Sequence, residues 1–334
     1  MMNQHFEWVN IAKGLGIILV VLGHAPIDDI LRQYIFAFHM PLFFLLSGVT
    51  FKGGYTELRP VDFARKKGRS LLIPYFTFSI ITYAFWFFLE RPLLGKDDVD
   101  AIIPALGIFY SAGDNYLLTY NPAIWFLTCL FMVEIGFYVL LKYVPGNSVR
   151  IISIVAVAAA GYFSTRWFDS MLPWSIQVAT VAVLFFGLGY LLKARTKIFG
   201  YSFGWVAAAA ALSLIYPLIH FTNRIDMRAG EYQSVPIFIS TSLLGIAGIL
   251  FLSFRLEGKS RILSYLGQNS LIIFALHFMI FAIIRITLEY GFGIEGNPMP
   301  ITSLWGIMFT AATLVISVPF VYLIKNKAPF LIGK

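Results

Sequence analysis

Two residues of the first apolar run, Lys13 and His24, have the chemistry of a group-transfer site: an ammonium that binds anions, and an imidazole that takes or carries a group near neutral pH. They are 11 residues apart. On a helix that is about 1100°, roughly 20° past three full turns, with about 16 Å between them along the axis. Both side chains therefore share one stripe, beside which Gly14, Gly16 and Gly23 allow close approach by a backbone or a ligand. The ordinary alternative is a snorkelling lysine at one interface and a structurally satisfied histidine at the other.

A second imidazole stands in Tyr34-Ile-Phe-Ala-Phe-His39-Met-Pro41. Its span runs in the opposite direction, which puts His39 at about the depth of His24. Pro41 removes a backbone donor and frees the carbonyl one turn earlier, predicting a kink or a local water site. Four cations in five residues, Arg65-Lys66-Lys67-Gly68-Arg69, precede Ile73-Pro74-Tyr75. They suit a phosphate-bearing ligand, to which a helix N-terminus would add backbone donors, although acidic lipid is the plainer partner. Trp125, Glu134, His277 and Arg285 fall within later apolar runs, where an ionisable side chain is costly unless paired or functional. Helix-to-helix cross-links are the ordinary reading for Glu134, His277 and Arg285. His5 and His220, near span ends, are assigned no role.

The elements that must position these residues are membrane helices. Of 334 residues 59% are hydrophobic and 13% charged, about half the charged share of a soluble domain, so the chain carries more apolar surface than a water-soluble fold could bury. On a template of roughly 20 apolar residues, ten spans are expected: 9–26, 34–52, 71–90, 122–142, 149–166, 174–193, 201–221, 235–254, 270–290 and 302–324. Pro217 interrupts the seventh, and the fifth is the shortest. The connection 91–121, with Asp97, Asp98, Asp100 and Asp114, is expected to hold a short interfacial helix over Ala101 to Tyr110. The fold class is thus all-α and polytopic, with 1–334 as a single membrane-embedded domain and no appended soluble domain. No removable signal peptide is expected, because Met1 to Trp8 has no Lys or Arg.

Seventeen Lys and Arg fall on one side of these spans and six on the other, which sets both termini in the cytoplasm. A net charge of +8 read this way reflects orientation rather than a nucleic-acid groove. The single Cys129 excludes an intrachain disulfide or thiolate cluster, and no GxxxxGK[ST], HExxH or GxSxG motif is present, so no metal is expected. No internal repeat of the kind common in transporters is visible. A His three turns from a Lys, with a basic segment at the cytoplasmic side, suits transfer from an anionic cytosolic donor to an acceptor arriving from the opposite face.

In these residues the chain resembles the acyltransferase-3 family of bacterial membrane O-acyltransferases, especially the fucose 4-O-acetylase related branch. The resemblance rests on Trp8-Val-Asn-Ile-Ala-Lys13-Gly-Leu-Gly-Ile-Ile-Leu-Val-Val-Leu-Gly-His24 and Phe38-His39-Met-Pro-Leu-Phe-Phe-Leu-Leu-Ser47-Gly48, and continues through Arg69, Ile73-Pro74-Tyr75, Trp125-Phe-Leu and Leu276-His277. It implies that Lys13 and His24 serve acyl-donor binding and catalysis, and that a basic RxxR-like element contacts coenzyme A. That element reads Lys66-Lys-Gly-Arg69 here, one guanidinium short. Asn10 stands where the family often has an acidic residue, and the resemblance implies a stand-alone form without the fused esterase-like domain.

The expected activity is that of a bacterial inner-membrane O-acetyltransferase, moving acetyl from cytosolic acetyl-CoA to a sugar hydroxyl of a surface or exported polysaccharide or of a lipid-linked sugar. Its partners are then the acyl-CoA, the glycan and membrane lipids, with no nucleic acid. His24 is the catalytic base or acyl carrier, and His39 orients it or stabilises the oxyanion. Lys13, Arg65, Lys66, Arg69, Trp125, Glu134 and His277 are the candidate substrate-binding residues. This requires the Lys13–His24 stripe to border a solvated hollow that a nucleotide thioester enters from the cytosol. The rival classes are a proton-coupled transporter using His24, His39 and Glu134 as a relay, and a non-catalytic partner in polysaccharide export.

Overall fold

The computed structural model describes residues 7–96, 98–112, 117–168, 170–193, 204–220, 224–232, 234–294 and 301–334. His5, Asp97 and Asp114 of the sequence reading lie outside the described residues, as do Arg195 and Lys197, two of the seventeen cations that orient the chain. Within them the chain is helical, with no strand beyond an isolated bridge between Asp226 and Glu231.

Among the described residues nine helical segments are long and apolar enough to span a membrane: Glu7–His24, Asp29–Thr50, Pro60–Leu93, Trp125–Tyr143, Asn147–Trp167, Pro173–Leu192, Val235–Leu256, Ser270–Gly291 and Ser303–Lys327. The seventh expected span is instead a shorter apolar segment, Gly204–Ile219. It divides into Gly204–Ser213 and Ile215–Ile219 because Pro217 has no N–H to offer the Ser213 carbonyl one turn back. The long connection contains the expected short helix, Ile102–Tyr110, tied down where Tyr75 donates to the Ile108 carbonyl at 2.7 Å and Tyr83 to that of Ala101 at 2.9 Å.

The first helix, α1 (Glu7–His24), lies at the centre, with Ile11, Ala12, Ile17, Val20 and Val21 fully buried. Helices in lipid gain little from excluding water, so they associate where small residues let backbones touch. Gly14 and Gly267 do this: a Cβ at Gly14 would strike the Leu263 carbonyl, and one at Gly267 the carbonyl of Asn10. The short helix Arg261–Gln268 is thereby seated against the Lys13 end of α1. Outward faces carry Ile80, Ile152, Val155, Val206, Ile307 and Val315, exposed as lipid-facing residues are.

The two ends of the bundle are distinct. At one, the Trp8 amide donates to Glu257 at 3.2 Å and the Arg69 Nε donates to the Gly333 carbonyl at 3.0 Å, and the start of α1 and Lys334 border a common cavity. At the other lie His24, the turn that follows it and the Glu90–Lys96 ion pair.

Candidate active site

His24 is the last residue of α1, and its Nδ1 lies 2.8 Å from the Val20 carbonyl. A carbonyl only accepts, so Nδ1 carries the proton and the Nε2 lone pair of the neutral ring is left for chemistry. The turn that follows is clamped by Arg32, whose guanidinium donates to the carbonyls of Gly23, Ala25 and Ile27 at 3.2–3.3 Å and pairs with Asp29 at 2.7 Å. Asp28 caps the next helix through the Leu31 amide and accepts from the Ser303 hydroxyl, which holds its carboxyl below the usual range.

The second span is two helices, α2 (Asp29–Phe36) and α3 (His39–Thr50), parted at Ala37 and Phe38. The break has the predicted cause. Pro41 cannot donate to the Ala37 carbonyl, which accepts instead from the Ser242 hydroxyl at 2.8 Å. His39 opens α3 with its Nδ1 2.9 Å from the Ile35 carbonyl, and its ring centroid lies 6.5 Å from that of His24. His277, from Ser270–Ile286, is fully buried with its centroid 5.2 Å from His24. Its Nδ1 bonds the Phe274 carbonyl at 2.6 Å, and its Nε2 has no partner. Three imidazoles from three helices thus converge, each with Nδ1 committed to its own backbone.

A small hollow of about 30 Å³ lies between His24, His39, Phe36, Trp125 and residues 226–228, with room for about one water-sized group. Its roof is the turn bridged from Asp226 to Glu231, where buried Asp226 accepts from the Arg228 amide at 3.0 Å and Arg224 pairs with Glu231 at 3.0 Å. On its other side His24 borders a cavity of about 550 Å³ with Arg32, Glu90, Lys96, Tyr120, Phe278, Arg285 and Phe309, a size that suits a small ligand.

Lys13 borders a different cavity, of about 520 Å³, at the opposite end of the bundle, with Asn10, Thr50, Gln268, Ser270, Lys325 and Lys334. The two large cavities share no lining residue. The single hollow expected along the stripe is therefore corrected to one opening at each end of α1, because the stripe between them is packed against neighbouring helices.

The basic segment differs from expectation. Residues 65–69 do not precede a helix; they lie inside one that starts at Pro60, with Asp62 in its first turn, so no helix N-terminus is presented by them. At 100° per residue Arg65 and Arg69 share a side, about 40° apart, while Lys66 and Lys67 turn away from it, so the four do not converge. Arg65 and Arg69 border an open groove with Leu72 and Ile73, and the Lys66 ammonium stands 5.3 Å from the Tyr55 ring. Lys67 pairs with Glu134 at 3.0 Å within a ring of Phe51, Tyr55 and Phe63. None of the four lines the Lys13 cavity; Arg69 reaches it only through the Gly333 carbonyl beside Lys334. Glu134 is accordingly a partner of Lys67, placed apart from the imidazoles. Trp125, by contrast, does sit with His24 and His39.

Sequence reasoning did not single out Lys325 and Lys334, which line the Lys13 cavity, or Arg32, Lys96, Asp226 and Arg228, which line the cavities beside His24. The signal available for the last four was that cations and acids near the sparsely charged face are few.

A family model described as an acyltransferase domain, acyltransferase 3, matches residues 6–324. No curated protein and no solved structure shows significant similarity to the chain.

Proposed function

This chain belongs to the acyltransferase-3 family of membrane acyltransferases, and from that premise we propose that it is an O-acetyltransferase moving acetyl from cytosolic acetyl-CoA to a glycan hydroxyl on the far side of the bacterial inner membrane. The observation that supports this most is the placing of Lys13 and His24 on one helix, each beside a cavity at its own end of the bundle. Lys13, Lys325 and Lys334 give the inner cavity the charge to hold the phosphates of coenzyme A. The flexible pantetheine arm then reaches along α1 toward His24, a distance of roughly 16 Å that the closed packing must open to admit.

At the far end the Nε2 of His24 takes the proton of the acceptor hydroxyl as its oxygen attacks the thioester carbon. The carbon–sulfur bond breaks and the imidazolium returns the proton to the departing thiolate. In the two-step alternative Nε2 bonds the acetyl carbon as the carbon–sulfur bond breaks and the thiolate leaves; the acceptor oxygen then displaces Nε2, which takes the hydroxyl proton as it is freed and passes it on to the thiolate or to solvent. Val20 keeps the ring in the reactive tautomer in either order. Of the groups at the small hollow, Arg228 has the N–H donors to receive the developing oxyanion, whereas His39, with its Nδ1 proton committed to the Ile35 carbonyl, serves to orient His24. His277, buried against His24, acts as a positioning residue rather than by touching the acceptor.

The test uses purified protein, labelled acetyl-CoA and surface glycan, with mass spectrometry of glycans from cells carrying His24→Ala in parallel. Loss of transfer by about 100-fold or more, with protein level unchanged, is expected. Retained O-acetylation in the variant would remove His24 from the chemistry, and glycans that never differ by an acetyl group would remove the enzyme.

A further inference from the structure

The outer cavity gathers positive charge at the end of the molecule where cations are scarce. Arg32, Lys96 and Arg285 line it, and Glu90 is the one carboxylate among its described lining residues. The positive-inside tendency works against cations on this face, so their collection around one hollow needs another cause. Arg32 is engaged by three carbonyls and Asp29, and Lys96 by Glu90 at 2.6 Å. Arg285 differs. It stands on the last turn of its helix, half-buried, and among the described residues it makes no hydrogen bond or ion pair. A guanidinium has five donors in a planar fork and no acceptor, and the fork matches a carboxylate or a phosphate.

We infer that this cavity takes a glycan acceptor bearing a negative charge, a carboxylate or a phosphate, gripped by Arg285 with Lys96 as second cation while a nearby hydroxyl meets His24. The inference rests on the acyltransferase reading and adds to it the class of acceptor. The apolar wall of Phe278, Phe281 and Phe309 receives the uncharged faces of the sugar.

Three matched oligosaccharides test it, one neutral, one carrying a uronic acid and one a sugar phosphate, each given to the protein in lipid nanodiscs with labelled acetyl-CoA. Equilibrium binding of the same three is measured alongside. One anionic acceptor is expected to exceed the neutral one about tenfold in kcat/KM, and which one identifies the anion. Arg285→Gln collapses that ratio through KM, and Arg285→Lys, which keeps the charge, retains part of it. Equal use of charged and neutral acceptors, or a preference that Arg285→Gln does not move, overturns the inference. Anionic glycans bound through Arg285 without any acetyl transfer would keep the site and overturn the acyltransferase reading instead.

Discussion

The ammonium of Lys67 and the carboxylate of Glu134 form the most enclosed ion pair among the described residues, with side-chain exposures of 13% and 8%. Two charges withdrawn from water are tolerated because they neutralise each other, and three aromatic rings around Lys67 add cation–π attraction. Removing one partner leaves the other stranded. Lys67→Met is expected to lower stability by about 3–5 kcal/mol, and Lys67→Met combined with Glu134→Gln to recover most of it. Thermal unfolding of the purified variants reads this; a double variant no better than Lys67→Met would show that the pair is not the unit. The pairing also bears on the rival relay, since Glu134 pairs with Lys67 while the charged groups that share cavities with His24 include Arg32, Asp226 and Arg228. At this scale the sequence showed that Glu134 needed a partner. It could not name one, because Lys67 comes from a helix 67 positions away.

The broken second span shows how an element fixes a side chain. Pro41 releases the Ala37 carbonyl, Ser242 of Val235–Leu256 satisfies it, and His39 is held between these two events. Ser242→Ala leaves a buried carbonyl without a donor and is expected to cost about 1–3 kcal/mol. It should also reduce acyl transfer, because His39 loses its fixed place beside His24, whereas Ser242→Thr keeps the hydroxyl and most of the activity. Parallel melting curves and rates check this, and unchanged values for Ser242→Ala would show that the break is held by other contacts. The kink was legible from Pro41 and its cause was read correctly. The helical state of residues 65–69 was not, since the polar first turns beginning at Pro60 lack the apolar pattern by which a span is recognised.

For the whole molecule, orientation decides which cavity meets the donor. The only cysteine, Cys129, is buried in Trp125–Tyr143, so the native chain offers little background to a thiol reagent. Two exposed replacements, Asp98→Cys and Lys259→Cys, report on opposite ends of the bundle. A membrane-impermeant maleimide added to intact cells should label the first, and the second only after permeabilisation. The reverse pattern would put the Lys13 cavity outside and end the case for a cytosolic donor.

The sequence by itself determined the class, most span boundaries to within a few residues, with the start of the third at Pro60 the main exception, and the shared stripe of Lys13 and His24. Those follow from composition and from the 3.6-residue repeat, which act along a single stretch of chain. Tertiary structure alone decided that Lys13 meets Lys325 and Lys334 while Arg65 to Arg69 turn elsewhere, and that His24 meets His39, His277 and Arg285. Hydropathy states that a helix lies in lipid but not which of its faces looks inward. That rotation is set by contacts such as Gly14 on Leu263 and Gly267 on Asn10, between residues some 250 positions apart.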